Sequence, residues 1–206
     1  MLIKKMGFIA FLIILISGCI KNETKPCLRP NYFFEIDVKL SPEQAVFRVG
    51  DSIICSMRFS KNLVNIASGN TVDYSNSTGI IGGISVVMLD SVNKVFIPSI
   101  DSFAYINQIG FFSSPSINPN NGIFYNIIEL SDRYEFKCTI VCKSKGVYYL
   151  SIDDASSTGL IGKNCTNSSI KATLQISSHN EVLYTNAIGN PPNTEPLSRM
   201  FCFRVL

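Results

Sequence analysis

The chain has no tryptophan, and its 206 residues include a single histidine, His179. Without tryptophan it lacks the usual core anchor of a true immunoglobulin domain and the favoured aromatic platform for stacking a sugar. One histidine excludes a multi-histidine zinc or copper site. It also leaves His179 as the sole base for Ser-His-Asp or Cys-His chemistry, and no G-x-S-x-G elbow accompanies it. Charge is scarce, at 16% of residues with a net +3. Removing residues 1–18, which carry Lys4 and Lys5, leaves 188 residues with 16 Lys+Arg against 15 Asp+Glu. That balance provides no electrostatic footprint for nucleic acid. Apolar residues are plentiful, 46% hydrophobic and 11% aromatic. This excludes a mostly disordered chain and is enough for one domain with a real core.

Lys4 and Lys5 form a positive n-region, and residues 6–16 follow as an uncharged apolar stretch of eleven. Crossing a bilayer as a helix takes about 20 apolar residues, so this stretch reads as a signal peptide. An ordinary secretory signal with a chance cysteine, or a short transmembrane helix, are the other readings of the same residues. The stretch ends in Ile16-Ser17-Gly18-Cys19.

Those four residues resemble a bacterial lipobox: an aliphatic residue, two small ones, then cysteine. The resemblance implies that signal peptidase II recognises Ile16, Ser17 and Gly18 and cuts before Cys19, whose sulfur carries diacylglycerol and whose new amine is acylated. Each buried lipid CH₂ contributes about 0.8 kcal/mol, so two or three chains anchor a protein for good. Position 20 is Ile rather than the Asp of inner-membrane retention, which points to the outer membrane. The implied organisation is a signal peptide at 1–18, a lipidated tether at 19–31, polar and broken by proline, and one domain at 32–206. The chain also resembles small lipoproteins of Bacteroidota-type bacteria. The shared features are the Pro42…Gly50-Asp51 passage, Cys165 in a late loop, and the Phe201-Cys202-Phe203 finish. That resemblance implies envelope placement and carries no activity.

Beyond the leader, strand signals recur between Gly, Pro, Asn and Ser clusters. Residues 33–40 alternate, with Phe34, Ile36, Val38 and Leu40 on one face. Residues 52–60 place Ile53, Cys55, Met57 and Phe59 together. In residues 133–142, Tyr134, Phe136, Cys138, Ile140 and Cys142 share a face. Residues 80–89 read as a buried strand with a bulge at Gly82-Gly83. Residues 133–142 and 147–152 read as a strand pair about a turn at 143–146. Residues 171–177 and 181–184 read as a hairpin, 190–196 as a connector and 200–206 as a last strand. Eight to ten short strands predict an all-β antiparallel sandwich. The entry through Gly146-Val147-Tyr148 resembles the E–F passage of immunoglobulin-like modules.

Six cysteines follow Cys19, and in an exported chain an even number predicts disulfides. Cys165 with Cys202 is the favoured pair, tying the late loop to the last strand. Cys55 is placed to meet Cys138 or Cys142, and buried free thiols are the alternative for these three. Asp153-Asp154 with Glu35, Asp37 or Asp51 offer calcium oxygens but lack EF-hand spacing, so no metal or cofactor is assigned. His179, in a Ser-Ser-His-Asn turn, reads as a solvated surface residue. Asp51-Ser52-Ile53 and Asp90-Ser91-Val92 resemble the D-S/T-aliphatic O-glycosylation signal of exported Bacteroidota proteins.

The expectation is therefore an envelope lipoprotein with no catalytic residues, facing the periplasm or the cell surface. It would serve as a binding or structural module for a glycan or envelope protein partner, through loops 61–79, 113–122 and 153–169. Tyr74 and Tyr125 are the aromatic candidates beside them. The alternative is an envelope hydrolase with an unrecognised carboxylate site.

Overall fold

The computed structural model describes residues 30–113, 122–189 and 199–206. The leader, Cys19, Cys27 and the 190–196 connector lie outside the described residues, as does most of the 113–122 loop.

The chain folds as an all-β sandwich closed at both sides. The strands are β1 Tyr32–Ser41, β2 Val46–Phe47, β3 Ser52–Ser60, β4 Asn62–Val64, β5 Thr71–Asp73, β6 Ile80–Asp90, β7 Val95–Pro98 and β8 Phe103–Ile109. They continue as β9 Phe111–Phe112, β10 Gly122–Glu129, β11 Arg133–Cys142, β12 Gly146–Ile152, β13 Ala155–Ser157, β14 Ser168–Leu174 and β15 Met200–Val205, and among the described residues there is one α-helix, α1, at Glu181–Ile188. One layer runs β14-β1-β3-β11-β8, and the other is built on β6 with β10, β12, β15 and β2. The β10–β11 and β13–β14 pairings stitch the layers together, so β1-β3-β11-β10-β6-β13-β14 forms a closed hydrogen-bonded ring.

The period-2 strands bury the side chains that their alternation predicts. Phe34, Ile36, Val38 and Leu40 of β1 are buried, as are Ile53, Cys55 and Met57 of β3 and all five inward residues of β11; Phe59 is half-buried. Residues 133–152 do not form a hairpin. β11 pairs with β3, β8 and β10, whereas β12 pairs with β6 and β15, so the turn at 143–146 carries the chain between layers. At that crossing the Tyr148 hydroxyl donates back to the carbonyls of Ser144 (3.2 Å) and Lys145 (3.1 Å), the arrangement of a tyrosine corner.

Gly82 and Gly83 make no bulge. The β6–β10 register passes through both without a shift, pairing Gly82 with Tyr125 and Gly83 with Phe124. The glycines are there for space. A Cβ on Gly82 would lie 2.4 Å from the Tyr125 hydroxyl oxygen, and one on Gly83 would lie 2.5 Å from an Asp153 carboxylate oxygen.

Residues 181–184, read as half of a hairpin, open a helix instead. Eight residues are too few for helical periodicity to stand out, and Val182 and Thr185 read as strand formers. Asn180 turns the chain through the left-handed region at φ 52°. Lys94 donates to the Ala187 carbonyl at 2.8 Å, placing a cation at the negative end of the helix. Under α1 lies a second small core of Leu89, Tyr184, Ala187, Met200 and Cys202. β15 therefore buries both faces, with Phe201, Phe203 and Val205 in the main core and Met200 and Cys202 beneath the helix.

Candidate functional site

Two of the three expected loop regions meet at one pole of the sandwich. β4 and β5 form a small hairpin within 61–79. It is seated on β1 through buried Asn65, whose side-chain oxygen accepts from the backbone N–H of Phe33 (3.1 Å) and Ala67 (3.3 Å). Ile66 N–H adds a bond to the Phe33 carbonyl at 2.8 Å. The region 153–169 then ties onto it. Thr78 N–H donates to Gly159 O at 2.8 Å, Ile161 N–H donates to Asn76 O at 2.9 Å, and Ser77 bridges to Leu160. Below them the Tyr74 hydroxyl donates to Thr166 O at 2.8 Å.

Glu129 is the electrostatic centre of this pole. It pairs with Lys61 at 2.7 Å and accepts from Asn76 N–H (2.8 Å) and the Tyr134 hydroxyl (3.1 Å). Burial raises its pKa, and the bonds from Lys61, Asn76 and Tyr134 outweigh that, so the net shift is downward. Tyr134 in turn donates to Tyr74 O at 2.7 Å. The exposed rim holds Asn62, Asp73, Asn76, Thr78, Lys163 and Asn164. Val64, Ile66 and Ile161 are exposed on the same segments, so the rim mixes polar and apolar side chains on a cross-tied backbone.

The aromatic candidates are not part of that rim. Tyr74 and Tyr125 are both wholly buried, so neither can stack on a ligand. Each sits on the inward face of its segment, and Tyr125 stacks on Phe136 at 4.3 Å between ring centroids. Among the described residues the Tyr125 hydroxyl has no hydrogen-bond partner.

The acidic candidates are dispersed. Asp153 lies at the surface with its carboxyl folded over Gly83, and its N–H donates to Gly83 O at 2.9 Å. Lost solvation raises its pKa, and Asp154 adds to the shift, against the Ser85 hydroxyl and Arg199. Asp154 pairs with Arg199 at 3.1 Å and accepts from Ala172 N–H at 3.2 Å. Glu35 is held by Lys171 (2.9 Å) and Thr173 (2.8 Å), Asp37 by Gln175 (2.9 Å), and Asp51 by the Arg48 N–H (2.7 Å). Among the described residues no three His, Cys, Asp or Glu side chains gather at metal-ligand range.

His179 is not a solvated turn residue. It is half-buried, its Nδ1 bonds the Met200 carbonyl at 2.7 Å, and its own carbonyl accepts from Cys202 N–H at 3.0 Å. It pins the start of α1 to β15. Of the two serine signals, Ser91 is exposed in the β6–β7 turn, while Ser52 is half-buried at the head of β3.

The expected Cys165–Cys202 bond does not form. Cys165 is disulfide-bonded elsewhere, and Cys202 is a buried free thiol. β15 alternation turns Cys202 away from the main core and under α1, so it cannot meet the late loop. Cys55, Cys138 and Cys142 are likewise buried and free.

No family model matches the chain, and no curated protein matches it. Solved structures resemble it distantly. A type II cohesin dyad from the ScaA scaffoldin of Acetivibrio cellulolyticus is 10% identical, with a TM-score of 0.33 over 67% of this chain. This chain spans 46% of the length of that dyad. The human F-spondin reeler domain is 12% identical, with a TM-score of 0.33 over 70% of this chain and 86% of its own. A non-cellulosomal cohesin from Archaeoglobus fulgidus is 12% identical, with a TM-score of 0.33 over 73% and 96%. The β-sandwich assignment rests on the chain's own strands. Among the described residues no helix is long and apolar enough to cross a membrane.

Proposed function

We propose that the chain is a non-catalytic binding or structural module of the bacterial envelope. Lipid on Cys19 anchors it, and the Lys61–Glu129 pole receives a polar ligand or an envelope partner. The observation that carries this reading is the cross-tying of 61–79 and 153–169 into one exposed surface of mixed polar and apolar side chains. A rigid scaffold presenting shaped loops is the common way a sandwich binds.

The tether refines the reading. Asn31 N–H donates to Asn167 O at 3.0 Å, and the Asn31 side-chain amide donates to Cys165 O. The described residues thus enter the fold at the same pole as the loops. From Cys19 to Pro30 the chain takes eleven residue steps, which reach at most about 40 Å even when fully extended. In this reading the rim faces the membrane, and its partner is itself held at or near the bilayer. The opposite pole, where Gly50 N–H meets Cys142 O (2.9 Å) and Lys143 N–H meets Ser102 O (2.9 Å), points away.

The test combines a metabolic fatty-acid label with photo-crosslinking residues placed at Asn164 or at Lys145 of the far pole. The expected result is label on wild type but not on Cys19→Ala, with a discrete adduct from position 164 alone. An unlabelled wild-type chain would refute the anchor. Adducts from position 145 alone would refute the placement of the site.

A further inference from the structure

The β3–β11 ladder sets two thiols face to face. Cys138 is the register partner of Cys55, and both side chains are wholly buried. Directly opposed residues in an antiparallel pair have Cα atoms about 4.5 or 5.5 Å apart, depending on the type of pair. Both values fall inside the roughly 4.4–6.8 Å that a disulfide bridges. Among the described residues, neither of the other free thiols competes. Cys142 lies four residues further along β11, opposite Phe103 of β8, about 13 Å away at 3.3 Å per residue. Cys202 lies beyond the other layer, under α1.

We propose that Cys55 and Cys138 form a cross-strand disulfide as the chain folds with a thiol–disulfide oxidant, and that the folded core then seals the pair in whichever state it holds. The thiolate is the reacting species, and at Cys55 it is suppressed. The Cys55 pKa stands well above its ordinary value, chiefly through the hydrogen bond with the Cys138 thiol and then through burial. Oxidation therefore belongs to the interval when β3 and β11 have paired but the sandwich is still open.

With oxidised glutathione as the oxidant the chemistry balances. One cysteine thiolate attacks a glutathione sulfur, forming a mixed disulfide and releasing one glutathione thiolate. The second cysteine loses its proton and attacks the protein-side sulfur. The Cys55–Cys138 bond forms and the second glutathione leaves. Two protein thiols are oxidised, and one glutathione disulfide is reduced to two thiols.

The full chain, in detergent, is denatured, reduced and refolded with mixed oxidised and reduced glutathione. It is then alkylated in denaturant and mapped by peptide mass. A parallel sample folds reduced and meets oxidised glutathione only afterwards. In the first sample the Cys55 and Cys138 peptides are expected linked, while Cys142 and Cys202 are alkylated singly. In the second all four are expected alkylated. Free Cys55 and Cys138 after oxidative refolding, or Cys55 linked to Cys142, would overturn the proposal. Equal linkage in both samples would overturn the sealing. Cys142→Ser tests the assignment without disturbing the pair, and its Cys55–Cys138 linkage is expected to persist.

Discussion

Replacing Gly82 with alanine tests whether the β6–β10 contact is as close as described. The new Cβ would stand 2.4 Å from the Tyr125 hydroxyl oxygen and 2.5 Å from the ring carbon that bears it. Real Cβ atoms do not approach so closely, so the ring must move. It has little room, being wholly buried and stacked on Phe136. Overpacking of this kind costs about 1–3 kcal/mol, and a rigid ring places this site toward the upper end. Alanine in a strand interior recovers about 0.5–1 kcal/mol relative to glycine. The net loss is about 2 kcal/mol, or roughly 4–8 °C in Tm for a domain of this size. Urea unfolding gives a direct assay, with a lower midpoint and an unchanged slope. Tyr125→Phe removes an unpartnered buried hydroxyl and is expected to be neutral or mildly stabilising. Combined with Gly82→Ala it restores only part of the loss, since the ring carbon still collides. A Gly82→Ala variant within about 0.5 kcal/mol of wild type would show that Tyr125 does not lie over Gly82.

Two carboxylates carry opposite pH signatures. The folded pKa of Glu129 is lowered, so its contribution is present above the unfolded value and is lost as pH falls through the folded one. Glu129→Gln is expected to lower Tm at neutral pH by an amount that vanishes in acid; a pH-independent gap would refute the Lys61 pairing. The folded pKa of Asp153 is raised, so its contribution is present below the unfolded value and is lost as pH rises through the folded one. Asp153→Asn is accordingly expected to raise Tm at neutral pH and to leave it unchanged in acid, as melting curves across pH would record. His179→Ala removes the bond to Met200 O and should cost about 1 kcal/mol, with faster proteolysis around α1. Unaltered cleavage there would mean that His179 does not hold the helix.

The sandwich was legible wherever one face of a strand is wet. β1, β3 and β11 alternate because their outer faces carry Glu, Lys, Ser and Arg, and their inward lists matched the core apart from half-buried Phe59. β10 went unread because Gly122–Glu129 gives a nearly continuous apolar run with no period to mark its faces. β15 buries both faces, so its pattern could not show that Cys202 and its aromatic neighbours serve different cores. A short turn suits a hairpin and a layer crossing equally well, so residues 133–152 alone do not reveal that β11 and β12 join different layers. The loop pole was legible as loops, but its cross-ties are backbone bonds between segments some 80 residues apart, which leave no mark in composition. The burial of Tyr74 and Tyr125 is hidden for a related reason, since a tyrosine in a loop or short strand gives no sign of which way it turns.

β1 also has a mechanical consequence. Its first seven residues run parallel to β14, from Tyr32 opposite Ser168 to Val38 opposite Leu174, and its end pairs with β3. Asn65 and Ile66 grip Phe33 from the β4–β5 hairpin. A pull on the N-terminus along the strand axis loads these bonds in shear, so they must fail together rather than peel one by one. Under the proposed lipid anchor, that strain would fall on a strand bonded along its length to β14 and β3.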